Sequence, residues 1–177
     1  MKTVAFSYGL FEGPALSRAF RKRLKERGFT ATKSLQNAEY IISHSGGVYF
    51  LPQTMKAKKI LLIGPPLWPN KKMSRSIKEK LISDGLDSAT AQKLMKNTRY
   101  ALTNIRRSLS MRSMHQRNAQ YNFDTEVVLI RNSDDTFLHH ESATELARDR
   151  KWTFIHFDGG HDDLWIEVDR YIDLLET

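Results

Sequence analysis

Three residues of the kinds that make a nucleophile, a base and an orienting acid follow three apolar runs in this chain. After EYII comes Ser43-His44-Ser45-Gly46-Gly47, after EVVLI comes Arg131-Asn132-Ser133-Asp134-Asp135, and after TFIHF comes Asp158-Gly159-Gly160-His161. A serine hydroxyl is a weak nucleophile at neutral pH and needs a base within hydrogen-bond reach. His161 can supply that base, and a carboxylate can hold its imidazole in the right tautomer and stabilise the cation it becomes. Ser45 lies in a small-x-Ser-x-Gly pattern between a predicted strand and a predicted helix. Small neighbours are what a sharp strand-to-helix turn requires if it is to push the hydroxyl outward. The helix that follows would aim free backbone N–H groups and its positive dipole end at a developing oxyanion. Together these features imply acyl transfer through a covalent serine intermediate, from an ester or, on the same triad with another leaving group, from an amide or peptide. On residue type alone, Asp134 and Asp135 both stand as candidates for the acid.

The elements that must carry these groups are short β-rich runs alternating with helical ones. Lys2 to Tyr8 is β-branched and aromatic and stops at Gly9. A helix is predicted from about Pro14 to Arg27, with Leu16, Phe20 and Leu24 four apart and Gly28 as its stop. Short strands are expected at 29–33 and 39–43, then a short helix to about Met55. Ile60 to Ile63 is wholly apolar, as suits a strand buried on both faces. Residues 74–107 read as two helical pieces broken at Asp84-Gly85, with Asp87 placed to cap the second. Glu126 to Ile130 is a further strand, followed by a helix from about Ser142, which has capping-box spacing to Glu145. Thr153 to Phe157 is the last strand and Asp162 to Leu175 the last helix. Such alternation predicts an α/β fold with a mostly parallel sheet of about five to six strands flanked by helices. One link is awkward. The strands at 29–33 and 39–43 are too close in sequence for a helical crossover, so the first is either absent or an edge strand with an abbreviated connection.

The stretches YIISHSGG around Ser45, VVLIRNSDDTFL around Asp135 and FDGGHDD around His161 resemble the α/β-hydrolase superfamily. Within it they are similar to the small single-domain serine hydrolases of the retinoblastoma-binding serine hydrolase type. The chain order Ser, Asp, His and the Tyr8-Gly9 turn after the first strand match as well. The likeness runs from about residue 2 to 175, excluding most of a basic insert. It implies Ser45 as nucleophile, His161 as general base and acid, and Asp135, aligned through DDTF with a common D-D-P-F form, as the orienting carboxylate. It also implies an oxyanion hole from the backbone N–H groups of Gly46 and Leu10. The chain departs from the pattern in having Ser43 where glycine is usual and in a shortened early strand-and-helix pair.

Composition narrows the class further. The 177 residues carry a formal charge of +8, contain no cysteine and hold no apolar run long enough to span a membrane. Disulfide scaffolds, thiol nucleophiles and cysteine-based metal sites are thereby excluded, and a cytoplasmic domain without signal peptide is expected. Residues 66–120 carry twelve Lys or Arg against Glu79, Asp84 and Asp87, a net of +9, while the rest of the chain is at −1. The whole chain, 1–177, therefore reads as one hydrolase domain with a basic helical insert at 66–120, expected to act as a lid. Its Leu81, Ile82, Leu86, Leu94 and Leu102 give it an apolar face to lay over the active-site mouth, which Leu67 and Trp68 would help to line. Such a lid would favour a small, anionic acyl substrate. Nucleic acid is disfavoured as a partner, because the basic residues lack interleaved aromatics for stacking. The competing reading is a catalytically inactive hydrolase-fold protein whose insert binds an anionic partner such as nucleic acid or a lipid surface. No metal or cofactor is expected, since no His, Asp and Glu cluster has convincing ligand spacing. His44 reads as a packing or structural residue, His156 in mid-strand as buried or paired, and the pair His139-His140 as exposed residues at a helix start.

Overall fold

The computed structural model describes residues 2–9, 17–52, 55–65, 123–135 and 140–177. The strands are β1 (Lys2–Ser7), β2 (Phe29–Thr32), β3 (Tyr40–His44), β4 (Lys59–Ile63), β5 (Glu126–Asn132) and β6 (Thr153–Phe157). They form one sheet in the order β2-β1-β3-β4-β5-β6, and every pairing is parallel. Among the described residues three α-helices accompany them: α1 (Arg18–Glu26), α2 (His140–Arg150) and α3 (Val168–Glu176). The predicted α/β class with a mostly parallel sheet is therefore what the chain adopts. The insert expected at 66–120 as a lid, with Leu67 and Trp68, lies wholly outside the described residues, as do Leu10 and His139. Among the described residues no helix is long and apolar enough to cross a membrane.

Two apolar cores, one on each face, explain why the central strands are apolar throughout. On one face Ala5, Ile41, Ile60, Leu62, Val127 and Leu129 pack with Ala143 and Ala147 of α2. On the other, Val4, Ile42, Leu61, Ile63, Val128 and Ile130 pack with Phe20 and Leu24 of α1 and with Tyr171, Ile172 and Leu175 of α3. All five residues of β4 are buried, including Lys59, whose ammonium reaches Glu126 at 3.0 Å and the Leu174 carbonyl at 3.1 Å. Across the surface of the second face, Arg23 of α1 and Arg27 just after it pair with Asp169, Asp173 and Glu176 of α3. These pairs are exposed and add little beyond the packing beneath them.

The short strand at 29–33 is real and lies at the edge, next to β1. Register explains how seven residues can connect it to β3. Thr32 stands level with Ala5, and Tyr40 is already level with Val4, so the chain hardly has to travel back along the sheet. It mainly crosses β1, two strand spacings or about 10 Å, well within an extended reach of about 3.3 Å per residue. Glu39 anchors the arrival: its N–H donates to Thr3 Oγ1 at 3.0 Å and its carboxylate accepts from the Thr3 N–H at 3.2 Å.

Three predicted boundaries shift. The helix after β3 is a 3-10 run, Ser45–Phe50, that begins at Ser45 itself. Helix α2 starts at His140, which puts Ser142 inside the first turn and not at its cap. The last helix is split into a 3-10 turn, Asp163–Trp165, and α3. The cause of the split is Asp163, whose carboxylate accepts the Gly160 N–H at 2.9 Å and so ties this stretch into the loop after β6.

Candidate active site

Chain direction along the sheet reverses between β1 and β3: β2 lies to one side of β1, and all later strands to the other. Crevices at such switch points, beyond the C-terminal strand ends, are where open parallel sheets bind ligands. Ser45 occupies this place. His44 ends β3 in extended conformation, at φ −110° and ψ 139°, and the next residue turns over to φ +49°. For a residue other than glycine that left-handed conformation costs on the order of 1–3 kcal/mol and persists only where the surroundings impose it. Here β1 imposes it. A methyl group on Gly47 would lie 2.1 Å from the Ser7 carbonyl oxygen, so the 3-10 run sits flush on the end of β1. The Ser7 hydroxyl donates to the Gly47 carbonyl at 2.7 Å and pins the contact. Ser45 is left half-buried in the crevice, with Gly46 and Gly47 buried behind it.

Two strands away, the turn after β5 brings Asp135 inward. The Asp135 N–H donates to the Asn132 carbonyl at 3.1 Å, and the side chain is buried. His161, also buried, meets it with Nδ1 2.8 Å from Asp135 Oδ2. A carboxylate accepts, so this bond assigns the proton to Nδ1 and leaves the Nε2 lone pair as the basic site. The two side chains meet over Gly64, the residue that follows β4. Gly64 has φ +52°, and a Cβ there would stand 2.4 Å from Asp135 Oδ2 and 2.8 Å from the His161 ring. Only glycine leaves room for the pair. Asp134 is exposed and makes backbone and turn contacts: its N–H donates to Gly159 and its carboxylate accepts from the Ser133 hydroxyl.

The loop that carries His161 is tied at several points. The Gly159 N–H donates to Ser133 Oγ at 3.1 Å, and the Asn132 amide donates to the Gly160 carbonyl. The same amide pairs with the Tyr171 hydroxyl at 3.2 Å, and burial pushes that phenol's pKa up. Asp162 and Asp163 stand at the start of the 3-10 turn Asp163–Trp165, and Asp163 holds Gly160 as described.

The buried residue whose contact could not be read from the sequence is His44. Its Nε2 lies 2.7 Å from the backbone carbonyl of His161, their rings are 4.7 Å apart, and Trp165 stands edge-on to it at 5.7 Å. Ser43, in the usual glycine position, is buried with its hydroxyl lacking any hydrogen-bond partner. His156, by contrast, is exposed on β6, with Nε2 3.3 Å from Arg131 Nη1. Among the described residues one group has metal-capable donors: His44, His161 and Asp162, whose ligand atoms fall within 4.8 Å of one another. One nitrogen of each imidazole is already engaged, by the His161 carbonyl and by Asp135. The group therefore fits a hydrogen-bonded histidine pair better than a metal centre.

No family model matches the chain, and no curated protein matches it. Solved structures do. They include a thioesterase domain from the curacin biosynthetic pathway, with 11% identity over 99% of this chain and 91% of that chain at a TM-score of 0.64. An esterase from Pyrococcus furiosus aligns with 11% identity over 99% and 80% at a TM-score of 0.61. A hydrolase from Oleispira antarctica aligns with 12% identity over 100% and 92% at a TM-score of 0.58. At such identities the likeness is one of architecture, and it agrees with the parallel six-stranded sheet covered on both faces: the chain has the α/β-hydrolase fold.

Proposed function

We propose that the protein is a serine hydrolase that cleaves an ester-type acyl bond through a Ser45 acyl-enzyme. The observation that supports this reading is the buried His161–Asp135 hydrogen bond at the same end of the parallel sheet as a serine in a left-handed turn. Ser45 Oγ attacks the carbonyl carbon while His161 Nε2 takes its proton, and Asp135 holds the imidazolium that forms. The oxyanion is met by the N–H of Gly46 and, in the same reading, that of Leu10. The tetrahedral adduct collapses, the alcohol leaves with the proton from His161, and a water then repeats the sequence to release the acid. Similarity in sequence motifs to the small single-domain serine hydrolases, and in fold to esterases and a thioesterase, supports an ester or thioester acyl group as substrate. A cytoplasmic location and a basic lid at 66–120, with Leu67 and Trp68 at the mouth, belong to the same reading. The test is hydrolysis of p-nitrophenyl esters of graded acyl length by the wild type and by Ser45→Ala. Turnover lost with Ser45 supports the assignment, and turnover unchanged by the substitution contradicts it.

The second reading is an inactive hydrolase-fold protein that engages an anionic partner through its basic insert, and the +9 of residues 66–120 favours it. Binding of a nucleic acid or anionic vesicle that falls steeply with salt and survives Ser45→Ala would support it. No binding at low salt would remove it.

A further inference from the structure

We infer that His44 is a positioning residue: it holds the backbone of His161, and through it sets where the base stands relative to the nucleophile. Its kinetic readout rests on the function proposed above; its structural readout does not.

His161 rides on a loop with two glycines before it, Gly159 at φ +128° and Gly160. Asp135 orients the imidazole through Nδ1, and the ties at Gly159 and Gly160 hold the loop before it. His44 adds a hold on the main chain of His161 itself. Its Nε2 lies 2.7 Å from the His161 carbonyl oxygen, and both residues are buried. A carbonyl can only accept, so the proton sits on His44 Nε2 and the tautomer is decided. The residue that makes this bond is chain neighbour to Ser45, which makes the linkage direct. The strand that ends in the nucleophile also grips the main chain of the base, although 117 positions separate the two histidines.

The ring is in turn held in place. His44 is level with Ile63 in the register of β3 and β4, on the face of the sheet covered by α1 and α3. Trp165 stands edge-on to it at 5.7 Å and stacks on Tyr8 at 6.3 Å, while the Tyr8 hydroxyl meets Ser17 Oγ at 2.6 Å. A histidine that only filled space would be replaceable by any side chain of similar bulk. A donor to a buried carbonyl is not, because its loss takes a hydrogen bond from a buried acceptor.

Two substitutions separate these roles. His44→Leu keeps apolar bulk without a donor, and His44→Gln places an amide N–H at about the reach of Nε2. The measurements are kcat and KM with a p-nitrophenyl ester across pH, and the downfield proton resonance of the His161 Nδ1–H bonded to Asp135. For His44→Leu we expect kcat to fall about 10-fold to 100-fold, as a small misplacement of a catalytic group can do, with KM within twofold. We also expect its downfield resonance to broaden or vanish. His44→Gln should recover kcat to within about threefold, with a wild-type pH profile and the resonance present. A Leu variant with wild-type kcat and resonance, or a Gln variant no better than Leu, overturns the inference. If wild-type protein shows no Ser45-dependent turnover, the hydrolase reading has failed and the resonance alone decides: lost in Leu and kept in Gln supports the inference, unchanged in both overturns it. If the Leu variant does not fold, a folded Gln variant that keeps the resonance supports it, and one that lacks the resonance overturns it.

Discussion

Gly64 lies so close to Asp135 that a methyl group in its place would stand 2.4 Å from the carboxylate oxygen. The same methyl would meet the His161 ring at 2.8 Å, and φ at Gly64 is +52°. Gly64→Ala therefore strains the backbone by roughly 1–2 kcal/mol and must also push the His–Asp pair aside. The expected outcome is a folded protein with a lower melting temperature and esterase kcat reduced by about 10²-fold. Thermal melting and initial rates check this, and an alanine variant with wild-type kcat would show that the pair does not need its present position.

Asp135 and Asp134 are adjacent carboxylates in opposite situations, one buried on His161 and the other exposed in a turn. Asp135→Asn should reduce kcat by about 10³-fold to 10⁴-fold, because the amide no longer holds the imidazole in the working tautomer. Asp134→Asn should stay within about threefold of wild type. Steady-state kinetics on the two variants decide the matter, and the reverse ranking would move the acid role to Asp134.

The Ser43 hydroxyl is buried and has no hydrogen-bond partner. Leaving a polar group in that state costs about 1–3 kcal/mol. Ser43→Ala removes only the oxygen and should raise the melting temperature by roughly 2–4 °C for each kcal/mol recovered in a chain of this size. A clear fall on calorimetry would mean that the hydroxyl has a partner in solution, an ordered water being the simplest.

Acid should loosen the fold only slightly through two surface carboxyls. Hydrogen bonds from Arg23 to Asp169, and from Lys58 to Glu39, hold both groups below their ordinary pKa values of 3.8 and 4.5. Because the folded pKa is the lower one, each group's contribution is present above the ordinary value and is lost as pH falls through the folded value. The melting temperature should thus be level from neutrality to about pH 5 and decline below it, less steeply in high salt. Lys58→Met should flatten part of that decline in a pH series of melts; an unchanged profile would assign it to other groups.

Much of this architecture could be read from the chain because it depends on local pattern. Apolar runs such as ILLI and EVVLI had to be strands buried on both faces, and small residues around Ser45 had to be a tight turn. The edge strand β2 could not be settled that way, since the relevant fact was the register that puts Tyr40 almost level with Thr32. Nor could residue type choose between Asp134 and Asp135, which differ only in where a single turn aims them. The roles of Gly64 and His44 depend on partners about 70 and 117 positions away. A glycine directly after a wholly apolar strand was the only local sign of the first. For the second, a histidine beside a candidate nucleophile reads equally as packing.

Every catalytic role assigned above depends on Ser45 being an activated nucleophile, and a fluorophosphonate tests that whatever the natural substrate is. The wild type should gain one phosphonyl group, located by peptide mass spectrometry on Ser45. Ser45→Ala should take up none. Labelling that persists in Ser45→Ala, or a folded wild type that remains unlabelled, would refute the assignment.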